Sequence, residues 1–349
     1  MRTTFISTQS LSNAPRAALP RLQAELSDTS TEITTGRYAD VGRQLGVGTA
    51  ESVQLRLEQA ALGSLKDGNA SATAQIDRTQ TALADIRSGA DSFLQQLLAV
   101  TGTGGSGAVL QQQAAGILNA LTDTLNVTDG RRYLFGGLNS SEKPVASLAD
   151  GPGAAISAAF AQRFGLDPAS PQTDPKVKTI TAADMADFID KDLAGFFSET
   201  GWSSTWSSGS SDNRIATIGL GERVEVSANA NEPAMRKLAM AYTMVATLGT
   251  QALSSPALQT VIDRSRSLVG TSLSELTAIG ARLGAAQNRI DASNEMMQRA
   301  QDVVQRRLSA LEGVDTAEAK TRFDTLSQQI EMSYSLTSRI LKMSILNYV

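Results

Sequence analysis

Large apolar residues recur at every seventh position from Ile262 to Leu311: Ile262, Val269, Leu276, Leu283, Ile290, Met297, Val304 and Leu311. A companion register, offset by three, reads Ser265, Ser272, Ile279, Ala286, Ser293 and Ala300. This alternating three-four spacing predicts one helix that buries a narrow stripe against another helix. At ~1.5 Å per residue the stretch would extend roughly 75 Å, a rod around which the rest of the chain is organised. The two registers are unequal. A buried Leu or Ile contributes ~1.5–3 kcal/mol and a buried Ala or Ser much less. The seam is therefore thin and suits a helix packed by several neighbours. The eight large residues define a candidate assembly seam.

Composition removes whole classes of function. Aromatic residues are 5% of the 349-residue chain, which fits coiled helices better than an enzyme core. The net charge of −4 leaves no electrostatic footprint for nucleic acid. The doublets Arg131-Arg132 and Arg306-Arg307 read as solvated or paired. Cysteine and histidine are both absent, so the sequence predicts no disulfide framework, no zinc site of the common kinds and no cofactor. No run approaches ~18 apolar residues, and no membrane span is expected. The first residues lack the apolar stretch of a cleaved signal peptide, and composition alone reads as cytoplasmic.

Along the chain, residues 1–12 are polar and weakly patterned, expected to be flexible or ordered by a partner. Pro15 and Pro20 are expected to interrupt any helix there. A three-four pattern then runs through Leu19, Leu22, Leu26, Thr29 and Ile33 and stops at Thr35-Gly36-Arg37, where Gly36 suits a left-handed cap. Gly42, Gly46 and Gly48 predict a loop. A helix through Ala50, Val53, Leu57 and Ala60 is expected to break near Asp67-Gly68, and the next carries Ile76, Thr79, Leu83, Ile86, Ala90, Phe93, Leu97 and Val100.

The glycines from Gly102 to Gly107 read as a linker, because no Gly-Lys-Ser/Thr follows to make a phosphate loop. A helix with Leu110, Ile117, Leu118, Leu121 and Leu125 leads to Gly130-Arg131-Arg132-Tyr133-Leu134-Phe135-Gly136-Gly137.

Composition then shifts. Five of the nine prolines fall between Pro144 and Pro175, and Arg214–Leu220 with Arg223–Ala228 around Gly221-Glu222 reads as a hairpin. Helix restarts at Asn231-Glu232-Pro233, with Met235, Leu238, Tyr242 and Val245 on its buried face, and again at Ser255-Pro256. The rod ends at Gly313, and Asp315 with Glu318 forms a capping-box pattern before the last helix.

The expected fold is mainly α: an elongated antiparallel helical bundle or coiled coil of N- and C-terminal arms with an inserted small β-rich domain. The parts are 1–137 (N-terminal arm), 138–230 (insert) and 231–349 (C-terminal arm packing on the first).

These features resemble the flagellin superfamily, and several stretches resemble its FlgL-type hook-associated family at the hook–filament junction. Thr35-Gly36-Arg37 is similar to that family's Thr-Gly-basic turn. Gly130 to Gly137 is similar to its Gly-Arg-Tyr-Leu-Phe-Gly/Ser-Gly stretch. Asp315-Thr316-Ala317-Glu318 resembles its Asp-x-Ala-Glu turn, and Ser344-Ile345-Leu346-Asn347-Tyr348 its Ser-Leu-Leu-Asn-Tyr ending. The chain departs from the family at Tyr38-Ala39-Asp40-Val41-Gly42-Arg43, where an acidic pair and a proline are usual.

The resemblance implies a structural protein exported without cleavage to the extracellular flagellum. It would form a homo-oligomeric ring between the proximal hook-associated protein and the flagellin filament. It also implies a cytoplasmic export chaperone on the last helix. Spacing puts Leu326, Ile330, Tyr334, Leu341 and Ile345 on one face there, the candidate chaperone and assembly face. Flagellin itself is the alternative, although its usual ending is Ser-Leu-Leu-Arg and its middle lacks the Tyr-Leu-Phe-Gly stretch.

Other classes fit less well. Asp184, Asp187, Asp190 and Asp192 could flank a glycosidic bond, but they also read as the polar face of a short helix that buries Met185, Phe188 and Ile189. Trp202 and Trp206 read as core of the insert rather than a sugar platform. A cytoplasmic coiled-coil signalling protein accounts for the heptads but not for the insert.

Overall fold

The computed structural model describes the backbone of residues 8–99 and 106–346, and the side chains of 17–99 and 107–339. In chain order the elements are α1 (Thr8–Thr35), α2 (Val41–Leu45), a 3-10 turn (Gly46–Gly48), α3 (Thr49–Ala99) and α4 (Ser106–Leu125). Then come α5 (Gly153–Phe164), a second 3-10 turn (Pro175–Thr179), α6 (Ala182–Asp187), a π-helical segment (Phe188–Leu193), α7 (Ala194–Phe197) and α8 (Glu199–Thr205). The hairpin β1 (Ile215–Gly219) and β2 (Glu222–Glu225) precedes α9 (Pro233–Thr247), α10 (Ser255–Glu312) and α11 (Thr316–Leu346). Contacts divide the chain into two compact units: Met1–Ser64 with Met296–Val349, and Leu65–Glu295.

In the first unit α1 lies antiparallel to α11. Gln23 Nε2 donates to the Tyr334 hydroxyl at 3.1 Å, and Arg322 Nη2 to Glu32 Oε2 at 3.3 Å. Leu19, Leu22, Leu26 and Ile33 on α1, and Phe323, Leu326 and Ile330 on α11, are each half-buried. Two helices alone cover only part of such a stripe.

The expected interruption at Pro15 and Pro20 does not occur, since both lie within α1. A proline inside a helix costs ~3 kcal/mol, and tertiary pairing routinely overrides such local preferences. The polar segment 1–7 lies outside the described residues. α1 ends at Thr35, and Gly36 takes φ +68°, as its place after the helix predicts.

The expected loop around Gly42 and Gly46 is instead α2 and a 3-10 turn. The Asp40 side chain starts α2 by accepting from the Arg43 amide at 2.9 Å.

α3 and the end of α10 bury Leu55, Val304 and Leu308 together, with Leu311 against them. The stripe expected on α3 therefore faces the wrong way: Val53 is 50% and Leu57 67% exposed. Nor does the helix break at Asp67-Gly68. A glycine there costs only ~1 kcal/mol relative to Ala, and the buried side chains at Leu62, Ala72 and Ile76 outweigh it.

The second unit is built round α9. The sequence assigns one buried face to this helix, yet Ala241, Thr243, Met244, Ala246 and Thr247 are buried as well as Met235, Leu238, Tyr242 and Val245. A helix apolar all round belongs in the middle of a core. Ile76, Thr79, Leu83, Ile86, Ala90, Phe93 and Leu97 on α3 are buried as predicted, as are Leu110, Leu118, Leu121 and Leu125 on α4. Val100 and the glycines at 102, 104 and 105 lie outside the described residues. α10 runs antiparallel to α3, with Gln287 donating to Asp77 at 3.0 Å and Arg87 to Thr277 at 2.9 Å.

Within the insert the hairpin falls where the sequence places it, antiparallel with Ala216 opposite Val224 and Gly221 at φ +77° in the turn. Short helices make up most of the remainder. Trp202 and Trp206 stack at 5.1 Å beside Phe197, fully buried, while Phe160, Phe164 and Phe188 form a second aromatic group. The Trp202 indole N–H donates to Asn231 Oδ1 at 3.0 Å, and Arg236 reaches the Phe197 carbonyl at 3.2 Å, tying the insert to the start of α9.

Candidate assembly surfaces

The seam residues on α10 are spent inside the chain. Ile262, Val269, Leu276, Leu283 and Ile290 are buried in the core of the second unit. Met297 and Val304 are buried in the first unit, and Leu311 is half-buried there. The small register is equally informative. Ser265 Oγ donates to the Ala241 carbonyl at 3.4 Å and Ser293 Oγ to the Ile218 carbonyl at 2.7 Å, so the serines let α9 and the hairpin approach closely. A neighbouring subunit would meet other faces of the helix.

On α11, Leu326 and Ile330 are half-buried and Tyr334 is exposed, its hydroxyl accepting from Gln23. The side chains of Leu341 and Ile345 lie outside the described residues.

The stretch Gly130 to Gly137 forms a neck against the chain that leads into α9. Thr128 pairs with Tyr133 and Gly136 with Asn229 as isolated bridges, and the Ala230 amide donates to the Phe135 carbonyl at 2.9 Å. Residues 135–136 thus run beside residues 229–230. Phe135 is fully buried beneath this closure and Tyr133 half-buried. Gly137 has φ +60°, and a Cβ there would meet the Ser210 and Asp212 carbonyl oxygens, so only glycine fits.

The feature that sequence reasoning missed is Glu312. Its side chain is 2% exposed, whereas its partners Arg37 and Arg56 are 50% and 44% exposed. Arg56 Nε donates to Oε1 at 2.9 Å and Arg56 Nη2 to Oε2 at 2.7 Å. Ser52 Oγ donates to Oε1 at 2.5 Å, and Arg37 Nε stands 3.3 Å from Oε2. The Arg56 hydrogen bonds hold the Glu312 carboxyl below the usual carboxylate range against the opposing effect of burial, with Ser52 adding to them. Glu312 in turn raises Arg56.

The backbone joins the same place. Tyr38 N–H donates to the Glu312 carbonyl and Val314 N–H to the Gly36 carbonyl, both at 3.0 Å. One carboxylate thereby gathers the α1–α2 turn, the start of α3 and the α10–α11 turn. A local signal was available: an acid closing a helix C-terminus opposes the helix dipole by ~0.3–1 kcal/mol, which predicts a compensating cation.

A groove of about 450 Å³ opens between α1, α2 and α11, lined by Glu25, Asp28, Glu32 and Glu318 with Arg43, Arg322 and Leu326. Among the described residues, no three acidic side chains converge as a metal would require.

Three of the four aspartates at 184–192 are neutralised by cations. Asp187 pairs with Arg163 and Lys191, Asp190 with Arg264 at 2.6 Å, and Asp192 with Arg163 at 3.8 Å. Lys191 holds the Asp187 carboxyl below the usual range, opposite to what a general acid needs. Asp184 stays within its own helix start: its carboxylate accepts from the Thr181 hydroxyl at 2.7 Å, and its amide donates to the same hydroxyl at 3.1 Å. Met185, Phe188 and Ile189 point into the core. No described helix is long and apolar enough to cross a membrane.

Paired terminal helices and seams filled by the chain itself define a helical scaffold. Residues 6–140 match the bacterial flagellin N-terminal helical region, and residues 267–349 match the bacterial flagellin C-terminal helical region. The chain belongs to the flagellin superfamily, whose members are structural components of the bacterial flagellum and not enzymes. Among solved structures it is similar to a chain described as a candidate flagellar hook-associated protein from Vibrio parahaemolyticus, at 11% identity. That match covers 76% of this chain and 97% of the other with a TM-score of 0.52, which is a likeness of fold. None of the curated proteins matches.

Proposed function

We propose that this chain is the hook-associated protein that joins hook to filament, with arms 1–137 and 231–349 carrying an insert at 138–230. The observation that carries this reading is the neck. The Gly130–Gly137 stretch, similar to the junction family and not to true flagellin, buries Phe135 and closes on Asn229. The description of the Vibrio parahaemolyticus chain as a candidate hook-associated protein supports the same reading. In it, the protein leaves the cell uncleaved and forms a homo-oligomeric ring. That ring sits between the proximal hook-associated protein and flagellin. Before export a chaperone covers the face of Leu326, Ile330, Tyr334, Leu341 and Ile345.

Electron microscopy of flagella from a strain lacking this gene tests the proposal. The expected result is hooks without filaments, with intact flagellin released into the medium and filaments restored by the gene. Normal filaments on the deleted strain would overturn it, and loss of filaments without released flagellin would identify the chain as flagellin.

A further inference from the structure

α10 carries a second apolar stripe on the side away from its buried seam. Met296, Val303 and Ala310 follow one another at seven-residue spacing and are exposed, Val303 at 41%. Arg306 and Arg307 lie three and four residues beyond Val303, so the three side chains share one outward patch. Neither arginine has an ion-pair partner among the described residues.

The groove between α1 and α11 has the opposite character. Four carboxylates line it against two guanidiniums, and Asp28 and Glu318 have no side-chain cation partner among the described residues. Its apolar floor is Leu326, half-buried because two helices cannot close their own stripe. A groove between two antiparallel helices accepts a third amphipathic helix, and this one wants a basic helix with an apolar centre.

We infer that the outward face of α10 at Val303, Arg306 and Arg307 docks in the α1/α11 groove of a second copy of this chain. Val303 sits on Leu326, and the arginines face Asp28 and Glu318. The inference rests on the structural role proposed above and names the surfaces through which copies meet. The contact joins unlike patches, so repetition generates a ring or a helical array rather than a closed dimer.

The natural absence of cysteine makes the test direct. Full-length Val303→Cys and Leu326→Cys variants, one of them tagged, are mixed and mildly oxidised. A control pairs Val303→Cys with Leu138→Cys, an exposed site in the insert. The expected result is a mixed disulfide dimer formed at least about tenfold faster than the control, because docking raises the effective thiol concentration. Adding Arg306→Glu and Arg307→Glu to the first chain should bring the rate to the control value. Adding Asp28→Lys and Glu318→Lys to the second should then restore it.

A mixed pair no faster than the control, or a charge swap that does not restore the rate, overturns the inference. The gene-deletion result is read separately. Lost filaments without the cross-link reject this surface and keep the role, whereas the cross-link with normal filaments does the reverse.

Discussion

The Glu312 hub makes an asymmetric prediction. Arg56→Met removes two short charge-assisted hydrogen bonds and leaves a carboxylate that is almost wholly buried, with Ser52 and the more distant Arg37 as its remaining partners. Hydrogen bonds to charged groups contribute ~1.5–3 kcal/mol each, and stranding a buried charge costs ~3–5 kcal/mol. With Ser52 and Arg37 retained, the expected loss is about 3 kcal/mol at neutral pH. Glu312→Gln is milder, about 1–2 kcal/mol, because the arginines it releases are half in water already. In the double variant the two losses should overlap, giving a coupling of about 1.5 kcal/mol or more.

Hydrogen exchange at the Tyr38 and Val314 amides reads the hub itself, since they bond to the Glu312 and Gly36 carbonyls. A 3 kcal/mol loss should accelerate them by on the order of 100-fold. The folded carboxyl lies below its unfolded value, so its contribution is complete above the unfolded pKa and disappears as pH falls through the folded one. Protection of both amides should decline on acidification, and Arg56→Met should move that decline to higher pH. Unchanged exchange in Arg56→Met, or strictly additive losses in the double variant, would refute the reasoning.

Other sites give simpler expectations. Leu283→Asp and Ile290→Asp place a charge in a sealed core and should each cost more than about 4 kcal/mol by urea denaturation. Arg289→Ala removes only a surface pair with Glu222 and should cost less than about 1 kcal/mol. Thr243 is fully buried with a hydroxyl that has no hydrogen-bond partner among the described residues, so Thr243→Val should stabilise by about 1 kcal/mol in the same assay. Gly137→Ala forces a Cβ onto two carbonyls at positive φ and should cost at least about 2 kcal/mol, read as faster exchange at the Ala230 amide.

Much of the helical framework is legible in residues alone, because heptads, N-terminal prolines and C-terminal glycines act over one or two turns. The α10 seam, the starts of α9 and α10 and the hairpin turn all fall where local chemistry puts them. What local chemistry does not resolve is choice among equivalents. On α3 the stripe Ala50-Val53-Leu57-Ala60 is as periodic as Ser52-Leu55-Leu62, and only the opposing helix selects the second. Likewise Pro15, Pro20 and Gly68 each carry a local cost that partners far along the chain outweigh. Glu312 reads as one more surface acid until Arg37 and Arg56, more than 250 residues away, are folded onto it. The insert's short helices hide for a different reason: segments such as α7 are too short to display a period.

The stacked Trp202–Trp206 pair has an optical consequence. These are the only two tryptophans in the chain, and both lie in the unit that runs from Leu65 to Glu295. Their faces are 18° from parallel with centroids 5.1 Å apart, so both indoles sense the same packed surroundings. Emission therefore reports the integrity of that unit alone, while far-ultraviolet circular dichroism reports helices in both. Recorded together during unfolding, the two signals separate the melting of one unit from that of the other without any introduced label.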